Sequence, residues 1–287
     1  MGMAHCDSIR RGRAEGESHQ RFMPEIFMAH RLRYLIAIAF GVVAWVATLP
    51  AIAATDDDDA ITPYRPSVSS PAQLPRAGQL EFELGGLNAR SDGSRRSSLP
   101  YQFKLAFDKE WGVLLGGEAH VWARDDSGRS SGIGDTTLVL KRAWIVDEAS
   151  AFGMELGAKL PTANDSIGSR KADITVNTIY SRDFGALHMD ANFNATRLGA
   201  VDAGTSRTQF GAAASFSTAL SERWGLTGEL SGTHRGGADN GSQVLSAITY
   251  SPSKRLTFDV GVARALRPKP ATTSLFAGVV FPIAKLW

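Results

Sequence analysis

Between Ala151 and Thr162 the chain reads AFGMELGAKLPT, with Phe152, Met154, Leu156, Ala158 and Leu160 at one set of alternate positions and Gly153, Glu155, Gly157 and Lys159 at the other. Alternation with a period of two predicts an extended strand with one apolar and one polar face. The pattern recurs from Gly78 to the C-terminus, for example in Leu80/Phe82/Leu84, Tyr101/Phe103/Leu105, Ile174/Val176, Leu226/Leu230 and Leu256/Phe258/Val260/Val262. It predicts about twelve strands of about ten residues, the length a tilted strand needs to cross a bilayer. Short links at Asp108, Val146, Asp183, Ser221 and Pro252 alternate with longer polar ones: NARSDGSRRSS, RDDSGRSSG, PTANDSIGSRKAD and HRGGADNGS. Short turns on one rim and long loops on the other predict an all-β, antiparallel, up-and-down transmembrane β-barrel with the short rim in the periplasm.

Aromatic placement points the same way. Trp111, Trp144, Tyr180, Trp224, Tyr250 and Trp287 lie on the apolar face beside short turns or at the terminus, as in an interfacial girdle. The apolar face is therefore expected to meet lipid, and the other face to line a lumen. That face carries Glu81, Glu83, Lys104, Glu118, His120, Asp135, Lys141, Glu155, Lys159, Asp173, Asp190, Asn192, Glu229 and Asp259. In a dry sandwich core such a load of charge would be ruinous, since a buried unpaired charge costs several kcal/mol. Arg142, Arg197 and Arg264 break the pattern on the lipid side, where snorkelling or a headgroup contact could relieve the cost.

The N-terminus supplies the expected compartment. Leu35 to Leu49 is apolar and uncharged, preceded by Arg31 and Arg33 and followed by Ala51-Ile52-Ala53, the layout of a secretory signal peptide cut before Ala54. The chain divides into a dispensable or mis-assigned extension (1–27), a signal peptide (28–53), a flexible periplasmic lead-in (54–77) rich in Asp, Pro and Ser, and the barrel (78–287). Lys and Arg number 31 against 29 Asp and Glu, and the basic excess lies in the leader. The exported chain is formally balanced, so nucleic acid is not an expected partner. The single cysteine, Cys6, precedes the cleavage point, which excludes thiol chemistry and disulfides from the mature protein. The Asp56–Asp59 run reads as a solvated acidic tail.

Little in the sequence suggests catalysis, a cofactor or a metal. His188 and Asp190 share a face, with Ser181 across the adjacent turn, but no lipase or protease signature accompanies them. Gly132-Ile133-Gly134 lacks the Lys-Ser/Thr and following helix of a phosphate loop and reads as a strand entry or bulge. No histidine pair has ligand spacing.

GIGDTTLVLKRAW (Gly132 to Trp144), followed by AFGMELGAKLPTAN (Ala151 to Asn164), resembles paired strand motifs of the outer-membrane family labelled phenol-degradation meta-pathway proteins or transporters. LTFDVGVARAL (Leu256 to Leu266) is similar to that family's late Asp-x-Gly strand, and Ala163 departs from the Gly usual after Pro-Thr. The resemblance implies a Gram-negative outer-membrane barrel moving small, often hydrophobic or aromatic, compounds. The terminal LFAGVVFPIAKLW resembles the signal read by the barrel-assembly machinery, with Trp287 as its last residue.

The expected activity is passive uptake of a small solute through a narrow, acid-rich lumen that favours neutral or cationic solutes. Candidate lining residues are Glu118, His120, Asp135, Lys141, Glu155, Lys159, Asp190 and Asp259; each is also readable as half of a salt bridge that holds the barrel's shape. Expected pairs are Lys141 with Asp135 or Glu155, and Lys159 with Glu155. A structural or adhesive barrel and a barrel hydrolase are the alternatives.

Overall fold

The computed structural model describes residues 60–287. The extension, the signal peptide and the Asp56–Asp59 run lie outside the described residues. Within them the chain forms β1 (Gln79–Ser91), β2 (Ser94–Ala106), β3 (Trp111–Asp125), β4 (Gly128–Gly132), β5 (Thr136–Asp147), β6 (Ser150–Leu160), β7 (Asp173–Phe184), β8 (Leu187–Arg197), β9 (Thr208–Ala219), β10 (Trp224–Arg235), β11 (Gly241–Ser253), β12 (Leu256–Arg267) and β13 (Thr273–Lys285). Every pairing between these strands is antiparallel, β13 pairs with β1 and β2 pairs with β3, so the sheet closes on itself. β3 pairs with β4 along its outer half and with β5 along its inner half. β4 and β5 thus share one position in the wall, and the barrel has twelve staves.

Closure pairs every strand but the short β4 on both sides, the condition for a sheet to sit in hydrocarbon. The alternation found in the sequence sets the two faces. In β6, Phe152, Met154 and Leu156 are exposed, whereas Gly153, Glu155 and Gly157 are buried. Trp144, Ile174, Val176, Phe193, Phe210, Trp224, Leu230, Val260 and Leu275 are likewise exposed, in a belt that only lipid would cover. Ring pairs join this belt across strands: Phe152 with Tyr180 at 4.9 Å, and Trp224 with Tyr250 at 4.7 Å. Among the described residues no helix is long and apolar enough to cross a membrane.

Local side chains fix the short turns. Asp108 accepts from the backbone N–H of Glu110 at 2.7 Å and of Trp111 at 2.8 Å, and Asp147 accepts from Ala149 N–H at 2.9 Å and from the Ser150 hydroxyl at 2.8 Å. On the opposite rim two expected long loops fold as extended hairpins. β1 and β2 are joined at Asp92-Gly93, where Gly93 takes a φ of 76° suited to a tight hairpin turn, and β3 turns into β4 after Asp125. The strands simply run on past the lipid belt, which polar composition alone does not reveal.

Two expectations are corrected. First, the register slips between β2 and β3: Ser98 faces Val121, but Pro100 faces Glu118, so β3 carries one extra residue. Beyond that bulge the faces exchange. Val121 is fully buried inside, Trp122 is 48% exposed, and His120 packs its ring on Trp122 at 4.3 Å. Second, residues 60–77 are not a flexible lead-in. They form an ordered strap inside the barrel near its short-turn end, because the wall there offers charged groups that the strap's backbone satisfies.

Candidate functional site

The strap enters beside the turn after β11, where Ile61 N–H donates to the Lys254 carbonyl at 2.9 Å. It leaves at Gly78, whose N–H donates to the Ala106 carbonyl at 2.9 Å. Between these points it crosses the lumen and is held by the inward residues of strand after strand. Thr62 N–H donates to both oxygens of Glu81 (3.0 and 3.2 Å), and Tyr64 N–H to Glu83 at 2.8 Å. One oxygen of Glu229 accepts from Val68 N–H (2.8 Å), Ser69 N–H and the Ser69 hydroxyl (both 2.9 Å). Asn192 bonds Ser70 in both directions, accepting at 3.0 Å and donating at 2.8 Å, and Ala72 N–H reaches the Ser181 hydroxyl at 2.8 Å. The strap has no secondary structure to satisfy its own backbone, and the wall supplies the partners instead.

Two buried lysines stand at the centre of the strap's grip. Lys104 lies 2.9 Å from Glu81 and 2.6 Å from Glu83, with all three side chains almost wholly buried, and it donates to the Thr62 carbonyl. Lys141 lies 3.1 Å from Glu155 and donates to the Pro71 carbonyl at 2.5 Å. The Tyr64 ring sits between them, 4.4 Å from the Lys104 ammonium and 4.2 Å from that of Lys141. Burial, and after it the nearby carboxylates, push the Tyr64 phenol well above its ordinary range. It therefore stays protonated and donates to the Gln73 carbonyl at 2.8 Å.

Arg65 forms a two-pronged pair with Asp259 at 2.9 and 3.0 Å. Its guanidinium lies flat on the wall where Gly85 and Gly278 stand opposite each other in β1 and β13. A Cβ at Gly85 would come within 2.5 Å of it, and one at Gly278 would collide with it too. Above the strap, against β1 and β2, is a cavity of about 330 Å³ whose lining includes Tyr64, Arg65, Ser69, Ser70, Glu83 and Gln102. Leu87, Leu245, Ala247, Ala263 and Phe276 form an apolar cluster across β1, β11, β12 and β13, next to the walls that carry the charges. The interior thus has a dry side and a wet side.

The candidate residues separate into two groups and two single positions. Lys141, Glu155, Asp190 and Asp259 belong to the strap's anchorage; Asp190 accepts from the Ser181 hydroxyl at 2.5 Å. Asp135 and Lys159 brace the outer loops: Lys159 pairs with Asp135 at 3.2 Å and with Asp173 at 3.0 Å, while Asp135 accepts from Ala163 N–H at 3.0 Å and Asp173 from Gly199 N–H at 2.8 Å. The expected Lys141–Glu155 pair forms, whereas Lys159 pairs with Asp135 and Asp173 instead of Glu155. Glu118 is clamped by Arg96 at 2.5 and 2.6 Å. His120 is the one that does not line the lumen, because the bulge in β3 turns it outward with Trp122. Sequence reasoning missed Tyr64, Arg65 and Ser69, set in a stretch that reads as linker; an aromatic and a cation amid Pro and Ser were the only signal.

The hydrolase alternative gains no geometry. Asp190 stands between Ser181 and His188, 3.1 Å from the imidazole, whose other nitrogen faces Asp183 at 2.6 Å. A nucleophile needs the base beside it and the carboxylate behind the base, and here that order is reversed.

The architecture and interior define a class: a transmembrane β-barrel of the outer-membrane type, with an ordered internal strap. No family model matches the chain, nor does any curated protein, but solved structures do. An outer-membrane channel from Pseudomonas putida F1 superposes with a TM-score of 0.58 at 13% identity, over 80% of this chain and 100% of that one. The NanC porin gives 0.54 at 8% identity, over 70% and 100%. The KdgM porin in complex with disordered oligogalacturonate gives 0.50 at 11%, over 70% and 99%. At these identities the likeness is one of fold.

If the contacts of Tyr64 hold the strap in place, Tyr64→Ala is expected to speed tryptic cleavage after Arg76 severalfold in the folded, detergent-solubilised protein. Heat-modifiable gel migration would be unchanged. Equal cleavage rates would show that the other anchors suffice.

Proposed function

We propose that this protein is an outer-membrane channel for passive passage of small solutes, narrowed at its periplasmic end by residues 60–77. The observation that carries the reading is the closed wall with an apolar outside and a polar interior that retains a cavity above the strap. Similarity to solved channels and porins supports it. The motifs that resemble the phenol-degradation meta-pathway family, together with the apolar cluster around Phe276, favour solutes with a hydrophobic or aromatic body. In this reading residues 28–53 are a cleaved signal peptide, the terminal strand ending at Trp287 engages the barrel-assembly machinery, and the protein has no enzymatic role. Most lumenal carboxylates face a lysine or arginine, but Glu229 is held by neutral donors of the strap, so any ion preference is expected to be weakly cationic.

The test is single-channel conductance of the refolded chain from Ala54 to Trp287 in planar bilayers, with a small aromatic added as blocker. Small, discrete, weakly cation-favouring steps that the aromatic reduces are expected. Inserted barrels that stay silent with and without the strap would overturn the reading.

A further inference from the structure

We propose that Arg142 and Glu110, framed by Trp111 and Trp144, form a headgroup site for one zwitterionic, amine-bearing phospholipid on the outer wall at the short-turn end. Arg142 is on the lipid side of β5, paired with Trp111 of β3 and with Met154 of β6. Its guanidinium lies 5.0 Å from the Trp111 ring and 4.8 Å from the Trp144 ring. Cation–π contacts on two sides fix the plane of the group. One amino group reaches Glu110 at 3.1 Å, with side-chain exposures of 38% for Arg142 and 57% for Glu110.

That leaves the guanidinium underused. Arg142 Nε is buried and has no partner among the described residues, although the group carries five donors in a rigid fork. The exposed part of the guanidinium lies on the apolar side of the sheet at the level of the tryptophans. The acceptors found at that depth are the phosphate and ester oxygens of the leaflet. A phosphate that meets the exposed terminal amino groups would be bound by charge-assisted hydrogen bonds.

Glu110 narrows the choice of lipid. A carboxylate beside the arginine repels a second negative charge and offers acceptor oxygens to an ammonium. Cation and anion set side by side complement the phosphate and primary amine of a phosphoethanolamine headgroup, and disfavour a glycerol headgroup that brings no positive charge. Phe152 and Met154, exposed on the neighbouring strand, give the acyl chains a surface to follow. Arg182 on the same rim provides a control, since it is engaged by the Tyr180 hydroxyl at 3.1 Å and lies over Phe184 at 5.4 Å.

The experiment is native mass spectrometry of the full mature chain in detergent, titrated with phosphatidylethanolamine, phosphatidylglycerol or phosphatidylcholine. The wild type is expected to retain one phosphatidylethanolamine more strongly than either of the others. Arg142→Gln should weaken that binding about tenfold, the scale of one lost charge-assisted bond. Glu110→Gln, in an exposed turn, should keep phosphate binding and bring the ethanolamine-to-glycerol ratio to about one. Arg182→Gln should change nothing. Unchanged retention by Arg142→Gln, a wild type that prefers phosphatidylglycerol, or an unchanged ratio in Glu110→Gln would overturn the proposal. Channel conductance is measured on the same variants and is expected to be unaltered, so failure here is separable from failure of the channel reading.

Discussion

Deletion of residues 60–77 is expected to give a barrel that still inserts but conducts at least severalfold more than the intact chain. The strap crosses the lumen and uses inward groups of β1, β7, β8, β10 and β12, so it occupies the cross-section at the height where it lies. The wall does not depend on it for continuity: all twelve staves pair through backbone hydrogen bonds that leave the strap out. Planar-bilayer recording of the two chains, with heat-modifiable migration as the check on folding, measures the difference. Equal unitary conductance would mean that the outer loops, braced by Asp135, Lys159 and Asp173, set the resistance instead. The deletion also exposes the carboxylates of Glu81, Glu83 and Glu229 to the pore water, so selectivity for cations should rise along with the current.

Lys104→Met should be the most damaging single substitution in the interior. The lysine and its two carboxylate partners are almost wholly out of water, and removing the cation leaves Glu81 and Glu83, two residues apart on β1, with neutral donors but no counter-charge. Breaking a buried ion pair in this way costs about 3–5 kcal/mol. Urea unfolding from lipid vesicles, followed by tryptophan fluorescence, should show the loss. The triple variant Lys104→Met, Glu81→Gln, Glu83→Gln should recover most of it, because no charge then remains stranded. If the single variant is as stable as the wild type, water reaches the cluster freely and the strap does not seal it.

Much of the barrel was legible because lipid and lumen demand opposite chemistry at successive residues. The β6 sequence carries both faces in plain alternation, and the aromatic belt follows from Trp111, Trp144 and Trp224 beside their turns. Legibility failed where both faces are apolar or where spacing changes. At Val244-Leu245 and Leu275-Phe276 neighbouring residues are both hydrophobic, so the inward members of each pair, which build the dry side of the lumen, are hidden among the outward ones. The bulge opposite Ser98 adds one residue, and nothing in GGEAHVW announces it, so His120 was assigned to the wrong face. The strap was illegible for a different reason. Its order comes from wall residues more than a hundred positions away, such as Glu229 and Asp259, and no local pattern encodes a partner that distant. Most of the charged candidates lie on the inward face, where alternation places them, yet their pairing depends on stave order and on the strap: Arg65, which neutralises Asp259, comes from outside the barrel sequence altogether.

The strap is tethered at both of its ends, to the Lys254 carbonyl where it enters and to the Ala106 carbonyl where it leaves. Peeling from either end therefore begins by breaking a backbone tether. The anchors along it lie on five different strands, so losing the first few leaves the rest of the strap across the lumen, while losing them all frees the cross-section. Release of this kind is expected to be cooperative, with the strap either seated along its length or displaced as a unit.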